Sequence, residues 1–193
     1  MFTITKTPIL ILSSPRTGST VLTAYIKSMC EKDIGYFQEP DYYGQLEIDK
    51  FKEYFINSKN FILKCHFIHL HRYGTAVSEY LLDNAYKIRI RRKDFVKQIA
   101  SFYIARARNN YWHYQNNETI NLVDTISINT TYIEKDIMYL KNANYKLDHA
   151  SVNFDLDLYY EDLPNIDNAG YYITPKPVNY DELLDTITKL VQD

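Results

Sequence analysis

Cysteine, glycine and long apolar runs are what this sequence lacks. Two cysteines, Cys30 and Cys65, in 193 residues offer no disulfide framework, so a reducing, cytoplasmic setting is the expectation. No apolar stretch approaches the roughly 20 residues that span a bilayer, and the polar segment Met1–Thr7 runs into a strand without the pattern of a secretory signal. The formal net charge is only −2, which leaves no global attraction for nucleic acid. The short basic run from Arg89 to Lys93 therefore needs a local explanation. There are only five glycines, and the nineteen tyrosines read as compositional bias rather than as a functional signal. Against that background Gly18 stands out by its neighbours.

Ile9-Leu10-Ile11-Leu12 is an apolar run, Ser13-Ser14-Pro15-Arg16-Thr17-Gly18 a tight polar turn, and Val21 to Lys27 reads as a helix. A strand, a turn and a helix in that order make an anion cradle: backbone N–H groups of the turn and first helical turn face the ligand, and the helix dipole favours negative charge there. In an ATP loop of the form G-x-x-x-x-G-K-[ST] a lysine follows the second glycine. Here Ser13 stands at the first glycine, Ser19 stands at the lysine, and the cation comes earlier, at Arg16. The cradle without its β/γ-phosphate lysine points to a nucleotide with a single 5′-terminal phosphate.

The length suits one domain, residues 1–193. Strands are expected at Ile9–Leu12, Ile34–Phe37, Asn60–Lys64, Tyr86–Arg91 and Val152–Tyr159, the last from its alternation of Val152, Phe154, Leu156 and Leu158. Helices are expected from Thr17 or Gly18 to about Cys30 or Glu31, at Leu46–Asn57, Thr75–Asp83, Ile133–Leu147 and Tyr180–Val191, and from an Asp94 cap to about Arg108. Tyr111–Asn129 reads as a long loop. Strands alternating with helices predict an α/β, three-layer, P-loop-NTPase-like domain with a mostly parallel central sheet flanked by helices.

A second constellation follows Ile88-Arg89-Ile90-Arg91-Arg92-Lys93. Asp94 opens a helix, and Ser101 lies two turns on, on the face of Asp94 and Gln98. An arginine at a strand's carboxyl end with a serine hydroxyl nearby suits a second phosphate, since ligands of open α/β sheets bind at those edges. The alternative is a solvated charge run at a helix start.

With both constellations in one chain, the sequence resembles the sulfotransferases that use 3′-phosphoadenosine-5′-phosphosulfate (PAPS). Their loop P-[RK]-[ST]-G-[ST]-[ST] matches Pro15-Arg16-Thr17-Gly18-Ser19-Thr20 throughout. Paired arginines before the helix, Gln98 three residues before Ser101, and Trp112-His113 later are similar to the bacterial trehalose-type branch. Tyr160-Glu161-Asp162-Leu163 and Lys64-Cys65-His66 are similar to a Tyr-Glu-Asp-Leu and a Lys-Thr-His motif of the wider family. The resemblance runs from about Pro8 to His113 with a second anchor at Tyr160–Leu163. It implies that Arg16, Thr17, Gly18, Ser19 and Thr20 hold the 5′-phosphate, and that Arg92 and Ser101 hold the 3′-phosphate. Family spacing from cation to serine falls on Lys93, so Lys93 stays an alternative to Arg92.

The resemblance implies in-line sulfuryl transfer to an acceptor hydroxyl, with adenosine 3′,5′-bisphosphate as product and no metal. The acceptor would be small, such as a sugar or glycolipid, and a homodimer stays open. Arg16 is expected to stabilise charge on the bridging oxygen. Two residues compete as base. Glu39, in Phe37-Gln38-Glu39-Pro40, occupies a segment where glycan sulfotransferases place a catalytic glutamate, and Phe37, Tyr42 and Tyr43 are expected to raise its pKa by desolvation. His66 is the other, an imidazole being suited to proton transfer; the resemblance ranks Glu39 ahead. His66, His69 and His71 lack a carboxylate or cysteine at ligand spacing. Trp112 is the loop aromatic expected against a ligand, with Tyr42, Tyr43, Tyr111 and Tyr114 as others. The alternatives are a P-loop nucleotide kinase or hydrolase, for which only Asp155 and Asp157 offer a metal-binding carboxylate, and a non-catalytic nucleotide-binding domain of the same fold.

Overall fold

The computed structural model describes residues 7–30, 34–39, 54–108, 125–163 and 176–192. Its strands are β1 (Ile9–Ser13), β2 (Gly35–Gln38), β3 (Phe61–His66), β4 (Tyr86–Arg91) and β5 (Leu156–Tyr159). They form one all-parallel sheet in the order β2-β3-β1-β4-β5. The helices among the described residues are α1 (Ser19–Met29), α2 (Thr75–Asn84), α3 (Phe95–Ala107), α4 (Thr130–Asp148) and α5 (Tyr180–Gln192). Short 3-10 turns follow β3 at Phe67–Tyr73 and β5 at Tyr160–Asp162. Of the expected helix Leu46–Asn57, residues 54–57 are helical and 46–53 lie outside the described residues. No helix among the described residues is long and apolar enough to cross a membrane.

Buried on both faces, β1 shows why a parallel central strand reads as an unbroken apolar run. Successive side chains point to opposite faces. Ile9 and Ile11 pack with Leu22 and Ile26 of α1, together with Ile62, Ile88 and Ile90. Leu10 and Leu12 pack on the other face with Leu63 and Cys65, Val77 and Leu81 of α2, and Leu147 of α4. Helices thus cover both faces, and α3, α4 and α5 pack together through Ile99, Ile104, Ile137, Leu140, Leu183 and Ile187. Each such side chain taken fully out of water contributes on the order of 1.5–3 kcal/mol before the entropy of ordering it is counted.

One expected strand is shorter than its alternation suggested. Val152 and Phe154 lie outside β5, which begins at Leu156. The physical cause is Asp155: its backbone N–H donates to the Lys87 carbonyl at 2.9 Å while its carboxylate accepts the Lys87 N–H at 2.8 Å. A side chain thus takes one ladder position, and the strand starts only beyond it. Phe154 packs toward the cluster containing Leu10, whereas Leu156 and Leu158 pack toward Ile9 and Ile11.

Between α3 and α4, Arg106 donates to Asp136 at 2.5 Å, and the other Asp136 oxygen is buried with no partner among the described residues. Burial pushes the Asp136 carboxyl up to about 6 against the pull of Arg106. The folded chain keeps this proton over a range where the unfolded chain, titrating near 4, has lost it. Stability is therefore expected to fall as pH rises from about 4 to about 6 and to level off above. Asp136→Asn should erase that slope in thermal melts; an unchanged slope would assign it to another group.

Candidate active site

Chain order places the site. β1 lies between β3 and β4, so the direction of winding reverses beside it, and the crevice at such a switch point opens over the strands' carboxyl ends. Register brings Ser13 level with His66 on one side and Ile90 on the other. The turn after β1, the Lys64–His66 end of β3 and the Arg91–Lys93 end of β4 therefore meet above the sheet.

The turn is tied to itself and to its surroundings. Thr17 is buried, and its hydroxyl donates to the Ser14 carbonyl at 3.0 Å, leaving its backbone rather than its side chain for a ligand. Arg16 and Gly18 both have left-handed backbone, at φ +63° and +77°. For arginine that conformation costs about 1–2 kcal/mol. For Gly18 there is a second constraint: a Cβ there would overlap the Tyr160 ring. Gly18 also precedes α1 as its cap without a side-chain bond, so the first N–H groups of α1 keep their capacity for an anion. Ser19 is buried in that first turn.

The two expected phosphate clamps converge. Arg16 Nε donates to Ser101 Oγ at 2.9 Å, and Arg92 Nη1 donates to the Arg16 carbonyl at 3.3 Å. Arg92 and Lys93 part company: Lys93 Nζ lies 2.6 Å from Asp162 and is half exposed, whereas Arg92 is turned to the loop. The segment after β5 supplies the rest. Tyr160 lies against Gly18 with the Arg92 guanidinium 5.2 Å from its ring centre. Glu161 accepts the backbone N–H groups of Lys93 and Asp94 at 3.0 and 3.1 Å, fixing the start of α3, where Asp94 caps Lys97 N–H at 2.9 Å.

On the β3 side the centre is Lys64, which in sequence stands only within the Lys64-Cys65-His66 motif. It is buried, and its ammonium donates to Thr20 Oγ1 at 2.9 Å and lies 2.6 Å from Glu39 Oε1. His66 Nε2 lies 3.1 Å from the same Glu39 oxygen. A carboxylate can only accept, so this bond fixes the proton of a neutral His66 on Nε2 and leaves Nδ1 with its lone pair. Glu39 is itself left-handed, at φ +45°, with its N–H on the Lys64 carbonyl at 2.7 Å.

This overturns the expected electrostatics of Glu39. Burial does push its carboxyl upward, but the charges of Lys64 and His66 and their hydrogen bonds outweigh it and hold the group far below the usual carboxylate range. Phe37 packs with Tyr54, Phe55 and Phe61. Tyr42, Tyr43, Tyr111, Trp112, His113 and Tyr114 lie outside the described residues, as does the part of the expected loop from 111 to 124. Beside the loop, Arg91, Arg92, Lys93, Asn144, Leu147, Asp148 and Tyr159 line a cavity of about 490 Å³. Asn144 is a site neighbour that nothing in its amphipathic helix would have signalled.

No protein-family model and no curated protein matches this chain. Among solved structures, the shikimate kinase from Acinetobacter baumannii in complex with shikimate is similar at 10% identity and a TM-score of 0.44, over 96% of this chain and 93% of that one.

Proposed function

We propose that this chain transfers a sulfuryl group from PAPS to the hydroxyl of a small acceptor of the carbohydrate class, without a divalent metal. The carrying observation is the Lys64 ammonium on the Thr20 hydroxyl. In G-K-[ST] loops that hydroxyl goes to magnesium; here the chain's own buried cation stands on it. The two aspartates a metal-dependent reading would draw on are engaged elsewhere, Asp155 with Lys87 and Asp157 with Arg89 and Arg91. The strand order and the loop would serve a phosphoryl-transferring kinase as well, so the cation, not the fold, supports this choice.

The donor supplies an activated sulfur–oxygen bond. In the proposal, Thr17, Gly18, Ser19 and Thr20 hold its 5′-phosphate by backbone and hydroxyl groups, and Arg92 with Ser101 serves the 3′-phosphate. Arg16 and Lys64 stabilise charge gathering on the leaving phosphate oxygen. The acceptor oxygen bonds to sulfur as the bond from sulfur to that phosphate oxygen breaks. His66 Nδ1 takes the acceptor proton, with Glu39 holding the ring through Nε2. Glu39 thus becomes the orienting group, since a carboxylate held ionised by Lys64 is a weak proton acceptor.

Thermal melts test the reading. Adenosine 3′,5′-bisphosphate at about a hundred times its dissociation constant should add about 2.7 kcal/mol of stability, and ATP with magnesium should add little. Stabilisation by ATP with magnesium alone, or by neither ligand, overturns it.

A further inference from the structure

We propose that Gln98 and Asn144 are positioning residues: from two different helices they lock the turn after β1 so that Arg16 keeps its left-handed backbone and its guanidinium stays on Ser101. A non-glycine residue persists in that conformation only where its surroundings over-determine it, and the bonds around Arg16 show what does so. Gln98 Nε2 donates to the Pro15 carbonyl at 2.7 Å and to Ser14 Oγ at 3.1 Å. Asn144 Nδ2 donates to Gln98 Oε1 at 3.1 Å, and the Ser14 hydroxyl donates to Asn144 Oδ1. Gln98 and Ser14 are buried, so water has little access to the bonds by which Gln98 holds the turn.

The ring ends on the two residues that precede Arg16, rather than on the helices themselves. Gln98 sits on α3 and Asn144 on α4, and a bond serving only to join those helices would have no reason to reach Pro15. Arg92 completes the grip by bonding the carbonyl of Arg16 itself. Left-handed residues alternating along a turn direct successive N–H groups into one anion-binding concavity. Loosening Gln98 therefore lets Arg16 relax, frees its side chain from Ser101 and rotates an N–H out of the cradle. Asn144 also lines the cavity beside Arg91 and Arg92, so whatever enters that space touches a member of the ring. The effect on nucleotide binding rests on the sulfuryl-transfer reading; the effect on the turn does not.

Amide hydrogen exchange of the unliganded full chain tests the lock. Gln98→Met keeps length and apolar volume but removes both donors. It should speed exchange at Leu22, whose N–H is bonded to the turn at the Gly18 carbonyl at 3.0 Å, by about tenfold or more, with β1 and β3 amides unchanged. Asn144→Ser probes the same ring from α4 should Gln98→Met not fold. In calorimetry either variant should also weaken adenosine 3′,5′-bisphosphate by about tenfold. Unchanged exchange at Leu22, or faster exchange spread equally over β1 and β3, overturns the proposal. A wild-type chain that does not bind the bisphosphate sinks the sulfuryl-transfer reading and leaves the exchange result to decide the lock.

Discussion

Lys64→Met should cut turnover about a hundred- to a thousandfold, the loss typical when one group that meets developing charge is removed from a water-poor site. The same change should destabilise the fold by about 3–5 kcal/mol, because it removes one half of a buried ion pair and leaves Glu39 with His66 alone. The two effects are separable. Adding Glu39→Gln to Lys64→Met removes the stranded carboxylate, so the double variant should regain much of the stability and none of the turnover. The pH dependence of folding follows from the same pair. The folded Glu39 carboxyl titrates well below its unfolded value, so its contribution is complete above about pH 4.3. It is lost as pH falls from there through the folded value, because the unfolded chain then binds a proton the folded chain refuses. In Lys64→Met that acid sensitivity should shrink. Turnover within tenfold of wild type in Lys64→Met, above all if magnesium raised it further, would mean that Thr20 serves a metal after all.

Why Lys64 was legible only as part of a motif is a matter of range. The strand–turn–helix around Gly18 is local, written in consecutive residues, and so are the Asp94 cap and the apolar periods of the helices. Lys64 in sequence is one cation closing an apolar run. Its meaning arises when β3 lies beside β1 with Lys64 level with Ile11, which sets its ammonium under Thr20, 44 positions away in the chain. Arg92 and Lys93 show the same limit at closer quarters. Adjacent residues at a strand's end point to different sides, and only the return of the chain through Glu161 and Asp162 decides which one faces the loop. The charge logic of Glu39 is hidden in the same way: its aromatic neighbours are visible in sequence, whereas its cationic ones are supplied by another strand. Asn144 carried no signal at all: its spacing is that of any half-buried helix position.

The identity of the base gives the second large effect, and His66→Asn isolates it. Turnover should fall about 10²–10⁴-fold, the range for loss of a general base, with bisphosphate affinity held within a few-fold because His66 makes no bond to the loop among those described. Glu39→Gln does not discriminate, although it too should be slow. A glutamine can donate to His66 Nε2, which would move the ring proton to Nδ1 and remove the lone pair the acceptor needs. The wild-type pH profile supplies the independent check. Were Glu39 the base, its deeply depressed carboxyl would keep turnover flat down to about pH 4 and below. With Glu39 only orienting the ring, that flatness is not expected. A flat profile together with an active His66→Asn variant would return the role to Glu39, and Lys64 would then have to release its carboxylate in the course of each turnover.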